Sequence, residues 1–340
     1  MAHIPGRLSG GMSSEDFSAD PAVGEPYEGL GVGYAQSAGH GRSHQELVLK
    51  RIRDIPSLPE VVNSIVKQLG KPNTPASEIA RLVSYDPGLT SRVLRMVNSA
   101  AYGIQRQVSS IQHGIMILGF NTVRGLVLSA SIFKLLGNQN AHAGMDHQSF
   151  WYHSLATAMA AKSVAHTFRL PETDDAFSAG MLHDIGKVVL DLYFKHDYRP
   201  VLETAELRGL DLHGPAFLAL ERELMGTTHP EIGSYLTAKW KLPITLTEVI
   251  QHHHHPERAK LCPTLVYAVA LGNDLATAYQ RSEGQVTLDQ LNPDLVAHFD
   301  LDEATLEHLL SHLQAELEES LDDLMRTLNG GNQFMEGSSS

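Results

Sequence analysis

The sequence predicts an all-α fold in which two helical blocks are followed by a long amphipathic helix. From about residue 44, apolar residues recur at helical spacing, and Val62, Ile65, Val66 and Leu69 are one such stretch. Short polar turns separate these stretches, and no segment shows the apolar–polar alternation of a β-strand. Helices joined by short turns are typical of a compact helical bundle.

Composition and periodicity divide the chain into four segments. Residues 1–42 are rich in Gly, Ser, Pro and Ala without a helical period, which predicts a disordered leader. Residues 44–137 form the predicted N-terminal helical block. Residues 147–281 form the second and larger block, and the C-terminal helix with its tail is expected at 300–330.

Capping patterns indicate where helices of the first block begin and end. Asp86-Pro87 has the chemistry of an N-cap followed by a first helical residue. Ser109 and Gln112 have the spacing of a capping box, which predicts a helix that Gly119 should end. Asn121 is the predicted N-cap of the next helix.

Leucines follow one face of the predicted C-terminal helix, whereas its other face is acidic. The leucine face comprises Leu306, Leu309, Leu310, Leu313, Leu317, Leu321, Leu324 and Leu328. A stripe of this kind packs either on the chain's own core or on a second copy of the chain. The sequence therefore leaves both intramolecular packing and homodimer formation open.

The overall charge and composition exclude several functional classes. A net charge of −13 opposes broad contact with phosphate backbones, which requires Lys and Arg. No apolar run approaches the roughly 20 residues that span a bilayer. The single cysteine, Cys262, cannot form an internal disulfide and suits a reducing compartment. We therefore expect a cytoplasmic protein that contacts neither membranes nor nucleic acids broadly.

Histidine and aspartate residues in the second block have the composition of a metal site. The strongest local signal is residues 181–187 (MLHDIGK), where His183 offers a nitrogen ligand and Asp184 a carboxylate that can bridge two ions. Further candidates on neighbouring predicted helices are His153, His229, the four histidines at 252–255, and Asp274. The competing interpretation is that these histidines only form hydrogen bonds within a helical core.

The first block carries the most discriminating motifs. They lie at residues 58–59 (LP), 86–90 (DPGLT), 94–100 (LRMVNSA) and 115–119 (IMILG). Together with the order of the histidines and aspartates, they resemble the HDOD family, the HD-related output domain of bacterial signalling proteins. The resemblance covers residues 45–275 and implies an all-α fold related to the HD metal-dependent phosphohydrolases.

The resemblance also implies ligands for two divalent metal ions, for which iron or manganese is expected. The first ion would be held by His153, His183, Asp184 and Asp274. The second would share Asp184 and add His229, His253 and His254. Within the histidine run the register is open, because His252 could replace one of its neighbours. Asp184 and Lys187 are the expected catalytic residues, with Lys187 contacting a substrate phosphate.

Two functional classes follow from the resemblance. In the first, the chain is a regulatory output module that binds metal and either a signalling protein or a nucleotide. In the second, it is an active metal-dependent phosphohydrolase. The HD-GYP phosphodiesterases of cyclic-di-GMP carry a Gly-Tyr-Pro loop after the paired histidines, but residues 256–263 (PERAKLCP) contain none. The sequence therefore favours the regulatory class.

Overall fold

The computed structural model describes residues 64, 75–98, 107–136, 144–171, 173–282 and 284–329. Within these ranges the chain forms helices, turns and loops without a β-strand, which confirms the predicted all-α class. None of the described helices is long and apolar enough to cross a membrane. The leader predicted at residues 1–42 and the motif at 58–59 lie outside the described residues.

The helices are numbered in chain order. The first block contains α1 (Ala76–Ser84), α2 (Pro87–Val97), α3 (Ile111–Leu118) and α4 (Phe120–Leu136). The second contains α5 (His147–Thr167), α6 (Thr173–Leu182), α7 (Ile185–Tyr193), α8 (Lys195–Leu207), α9 (Pro215–Met225), α10 (His229–Lys239), α11 (Ile244–His252) and α12 (Pro263–Arg281). They are followed by α13 (Pro293–His298) and α14 (Glu303–Asn329). One hydrophobic cluster runs through both blocks, so the domain boundaries between them stay a prediction.

Two of the predicted helix ends are confirmed. The Asp86 side chain accepts a hydrogen bond from the backbone N–H of Leu89 at 3.0 Å, so it caps the start of α2. Gly119 follows the last residue of α3 with φ +83°, a backbone conformation that glycine adopts without steric cost.

Two other helix starts are wrong by one residue. Ser110, rather than Ser109, has extended backbone geometry and accepts a hydrogen bond from the N–H of His113 at the start of α3. Helix α4 begins at Phe120, so Asn121 lies inside its first turn and is not the cap. Gly119 ends α3 and also precedes α4 directly, because its carbonyl accepts the first hydrogen bond of α4, from the N–H of Val123.

Asn98 joins two segments of the first block. Its amide donates to the carbonyl oxygens of Leu94 and Val108, both at 2.8 Å, and its side-chain oxygen accepts the N–H of Val108. Asn98 therefore holds the end of α2 against residues 107–108. Its polar side chain therefore supports the fold of the first block.

Close contacts between helices of the second block bring its metal-site candidates together. A Cβ added to Gly272 of α12 would lie 2.7 Å from the backbone nitrogen of Ala161 in α5. A Cβ added to Gly186 of α7 would overlap the carbonyl oxygen of His229 at the start of α10. These glycines allow the backbones that carry the candidate ligands to approach one another closely.

The first part of the C-terminal leucine stripe packs on the chain itself. The buried leucines of α14 are Leu306, Leu309, Leu313 and Leu317, and this helix contacts α2 and α5. The side chains of Leu321, Leu324 and Leu328 lie outside the described residues. The described half of the stripe thus takes the intramolecular alternative, and homodimer formation stays a prediction.

Candidate metal centre

Asp184 lies at the centre of the candidate site, in the turn between α6 and α7, with its side chain buried. One of its oxygens, Oδ1, lies 3.1 Å from Nε2 of His229 and 3.4 Å from Nε2 of His253. Nε2 of His254 lies 3.1 Å from Nε2 of His229. Two ligands that bind one ion at about 2.1 Å are separated by roughly 3.0 to 3.4 Å. The spacing of these four side chains therefore fits a single ion.

The orientation of two histidines leaves their Nε2 atoms available to a ligand. Nδ1 of His183 lies 2.7 Å from the carbonyl oxygen of Gly180, and Nδ1 of His253 lies 2.9 Å from that of Ile250. Because a carbonyl oxygen only accepts, Nδ1 donates in each case and Nε2 carries the lone pair. Both Nε2 atoms and Oδ1 of Asp184 are buried without a hydrogen-bond partner among the described residues. Buried groups of this kind are rare unless they bind water or an ion.

Glu221 of α9 orients His229, and nothing in its sequence context indicated this role. The buried Oε2 of Glu221 accepts the backbone N–H of His229 at 2.9 Å and its Nδ1–H at 2.7 Å. Tyr198 donates its hydroxyl to the other oxygen at 3.4 Å. Burial acts to lower the pKa of His229, but the charge of Glu221 outweighs it and raises the pKa. A carboxylate behind a metal-binding histidine fixes the ring and increases its basicity.

The second oxygen of Asp184, Oδ2, faces cationic and aromatic groups. Nζ of the buried Lys187 lies 2.5 Å away, while Nε2 of His183 and Nδ1 of His213 each lie at 3.3 Å. Burial acts to raise the pKa of Asp184, yet the positive charge of Lys187 and the neighbouring rings of His183 and His229 hold it well below its usual value. Asp184 is therefore an ionised carboxylate. His213 was not among the predicted residues, because no local pattern distinguishes it.

His153 reaches the cluster but is already engaged. Its Nε2 lies 2.9 Å from the Oδ1 of Asn273 in α12, and its ring stacks on His213 with 3.4 Å between centroids. One nitrogen of His153 is nevertheless within 4.8 Å of ligand atoms of His183 and Asp184, so these three could also surround an ion.

Asp274 is the one predicted ligand that the structure does not bring to the cluster. Its carboxylate instead accepts the backbone N–H of Asn292 at 2.6 Å. Successive residues of a helix point about 100° apart, so when Asn273 faces His153 the neighbouring Asp274 faces elsewhere. An oxygen from α12 is thus present near His153, but it is an amide oxygen supplied one position earlier.

Within the histidine run, the structure brings His253 and His254 to the cluster. Burial lowers the pKa of His253 to about 3 and that of His254 well below its usual value, so both rings are neutral at pH 7 and can act as ligands. His252 is half-buried outside the group, and His255 is exposed beside Glu257 at 3.4 Å. The two residues favoured by the sequence are therefore the two that face Asp184.

The family comparison matches most of the described chain. A model of the HDOD domain family matches residues 55–256. An uncharacterized protein from Treponema pallidum (strain Nichols) is 24% identical over 254 residues, which are 74% of this chain and 47% of the relative. The chain thus spans about half the length of that curated relative.

Three solved structures share the fold. An HDOD domain protein of unknown function from Geobacter sulfurreducens has a TM-score of 0.61 at 24% identity, covering 83% of this chain and 98% of its own. A protein from Shewanella amazonensis SB2B, provisionally named a phosphohydrolase, has a TM-score of 0.64 at 23% identity, with coverages of 82% and 97%. A protein from Marinobacter aquaeolei VT8, provisionally named a signal transduction protein, has a TM-score of 0.65 at 20% identity, with coverages of 85% and 66%.

Proposed function

The chain belongs to the HDOD domain family, and from this premise we propose that it is a regulatory output module that binds divalent metal in the cluster around Asp184. One observation carries the proposal. Oδ1 of Asp184 and Nε2 of His253 are buried acceptor atoms that face each other without a hydrogen bond. Two facing acceptors repel unless a proton or a metal ion lies between them. Iron and manganese are the ions we expect here.

The chain's own residues would couple metal binding to the arrangement of three helices. Asp184 precedes α7, His229 begins α10, and His253 follows α11. An ion held by all three would fix the relative positions of these helix ends. Asp184, His229 and His253 are almost fully buried, at 1%, 1% and 2% exposed, whereas His254 is half-buried. A centre with three of its four ligands buried supports a conformational role, detected by a signalling protein or a nucleotide, better than rapid turnover.

The test is the metal content of protein purified without chelators and then incubated with Mn²⁺ or Fe²⁺. We expect metal in the wild type and its loss in Asp184→Asn. The matched control is Asp274→Asn, because the Asp274 carboxylate accepts the backbone N–H of Asn292 and lies outside the cluster. This substitution should leave the metal content unchanged. A wild-type protein that stays metal-free under saturating conditions would contradict the proposal.

A second candidate function is metal-dependent hydrolysis of a phosphoester. It is favoured by Asp184, whose carboxylate belongs to both groups of candidate ligands. Bound divalent ions would lower the pKa of a water molecule and offset charge on a phosphoryl oxygen. Lys187 would supply a further positive charge beside Asp184. Hydrolysis of a generic phosphodiester with Mn²⁺, abolished in Asp184→Asn, would establish this activity, and no turnover across a nucleotide panel would remove it.

A further inference from the structure

We propose that the centre holds one metal ion per chain and that the ammonium group of Lys187 takes the position of a second ion. This inference rests on the proposed metal binding and specifies its stoichiometry. It follows from the different surroundings of the two oxygens of Asp184. Oδ1 faces histidine nitrogens alone, whereas Oδ2 faces Nε2 of His183 and also a cation that belongs to the chain itself.

The Oδ1 side offers a complete ligand set for one ion. Asp184, His229, His253 and His254 each contribute one atom, and all four atoms lie within 4.8 Å of one another. Four protein ligands of nitrogen and oxygen type are sufficient for a closed site. In addition, Glu221 and the carbonyl of Ile250 hold the rings of His229 and His253 in place.

The Oδ2 side is occupied by Lys187. Its Nζ lies 2.5 Å from Oδ2, and a metal ion bound to that oxygen would lie at about 2.0 to 2.2 Å, in nearly the same place. Nζ also lies 3.2 Å from Nδ1 of His213 and 5.8 Å from the ring centroid of Phe217. The lysine side chain is only 2% exposed, so its charge depends on Asp184 for compensation.

Without Lys187, only a weak ligand set would be left for a second ion. His153 already contacts Asn273 through Nε2, and its ring is stacked on His213. The expected fourth ligand, Asp274, is directed to Asn292. His183 and one oxygen of Asp184 remain uncommitted, and His153 could complete the usual three protein ligands only by giving up its contact with Asn273.

A tethered cation has a clear consequence for function. An ammonium group beside Oδ2 offsets the charge of that oxygen without a second ion, so occupancy of the centre depends on a single ion. Two-ion catalysis stabilises both the attacking and the leaving oxygen of a displacement, and a lysine that is hydrogen-bonded to the bridging carboxylate cannot coordinate either of them. The arrangement therefore suits a one-ion regulatory centre.

The experiment counts Mn²⁺ ions per chain by calorimetric titration and elemental analysis, with electron paramagnetic resonance as an independent readout. We expect one equivalent and an uncoupled Mn²⁺ spectrum in the wild type. Lys187→Met, which keeps the buried stem but removes the charge, should bind a second, weaker equivalent and show a spin-coupled pair. The control Lys260→Met removes an exposed lysine and should keep one equivalent.

Each outcome distinguishes this inference from the proposed function. Two equivalents in the wild type would overturn the one-ion centre but leave metal binding intact. No binding in the wild type would overturn both. A single equivalent in a folded Lys187→Met variant would show that the lysine does not exclude a second ion, which also overturns the inference. Should that variant unfold, Lys187→Gln repeats the test with a hydrogen-bond donor retained, and the wild-type count stands regardless.

Discussion

Glu248 and Asp184 are both buried carboxylates of the second block, yet their surroundings are opposite in kind. Glu248 of α11 accepts hydrogen bonds from the backbone N–H groups of Lys260, Leu261 and Cys262. All three groups are donors, so the hydrogen bonding of the carboxylate is complete. The same bonds hold the loop before α12 against Glu248. Burial acts to raise the pKa of Glu248, but these hydrogen bonds outweigh it and lower the pKa.

Asp184, in contrast, faces groups that do not complete its hydrogen bonding. The rings of His253 beside Oδ1 and of His183 beside Oδ2 both donate their Nδ1–H groups to backbone carbonyls, so they present lone pairs to the carboxylate. A carboxylate surrounded by donors supports the fold, whereas one that faces lone pairs is a site for a cation. The comparison predicts that substitutions near Glu248 change stability alone, and that those near Asp184 change metal binding.

The largest effect is expected where structure and site coincide, at Gly186. In Gly186→Ala the new Cβ would overlap the carbonyl oxygen of His229, so α7 and α10 must separate. We expect the free energy of unfolding to fall by at least about 3 kcal/mol. Metal binding should also be lost, because His229 moves away from Asp184. Thermal unfolding and Mn²⁺ titration measure the two effects.

The control for that substitution is Gly114→Ala. The added Cβ would meet the side chain of Val97 at 3.4 Å, an ordinary contact, and alanine favours a helix more than glycine does. This variant should keep both stability and metal. If Gly186→Ala behaved in the same way, close backbone contact would not be what positions His229.

A smaller effect is expected at Glu248, confined to stability. In Glu248→Gln, the oxygen of the new amide would still accept a backbone N–H, but its NH₂ group would face another backbone N–H. Two donors would then oppose each other, and a buried donor would be left unpaired. We expect a loss of about 2 kcal/mol at pH 7. Metal affinity should be unchanged. A shift in Mn²⁺ affinity without a shift in melting temperature would break the distinction between the two carboxylates.

The pH dependence of this difference has a definite sign. The folded-state pKa of Glu248 is lower than its ordinary value of 4.5, so its charge stabilises the fold above that pH. The contribution is lost as the pH falls from 4.5 through the lowered folded-state value. The stability difference between wild type and Glu248→Gln should therefore stay at about 2 kcal/mol from pH 6 to 7. It should shrink in acid. Urea unfolding across this range measures it.

The contrast also explains how far the sequence predicts this molecule. Local sequence patterns predict the all-α class, the cap at Asp86 and the grouping of His183, Asp184 and His229. Local patterns do not predict that Asn273, rather than Asp274, faces His153. That outcome depends on how α12 packs against α5 at Gly272. Contacts of His213 and Glu221 are equally tertiary, because neither residue lies in a motif that its neighbours define.

The smallest effect is expected at Glu221, which acts on the metal only through His229. Glu221→Gln keeps the size of the side chain and an acceptor oxygen, but it removes the negative charge behind the ring. Such partners typically contribute 10- to 100-fold to metal affinity, and we expect the lower end, about tenfold weaker Mn²⁺ binding. The melting temperature should change little, since the hydrogen bonds to His229 can be kept.

Glu223→Gln on the same helix is the matched control for this last substitution. Glu223 is exposed and pairs with Arg208 at 3.8 Å, an interaction of little energetic weight. The Mn²⁺ affinity of the Glu223→Gln protein should equal that of the wild type. Equal affinities in all three proteins would mean that the charge of Glu221 does not reach the centre, and that its hydrogen bonds, like those of Glu248, serve only to hold the backbone. A weaker affinity in Glu221→Gln alone would assign Glu221 to the site. A carboxylate surrounded by donors would then still belong to a metal centre, because one of its donors is the ring of the metal ligand His229.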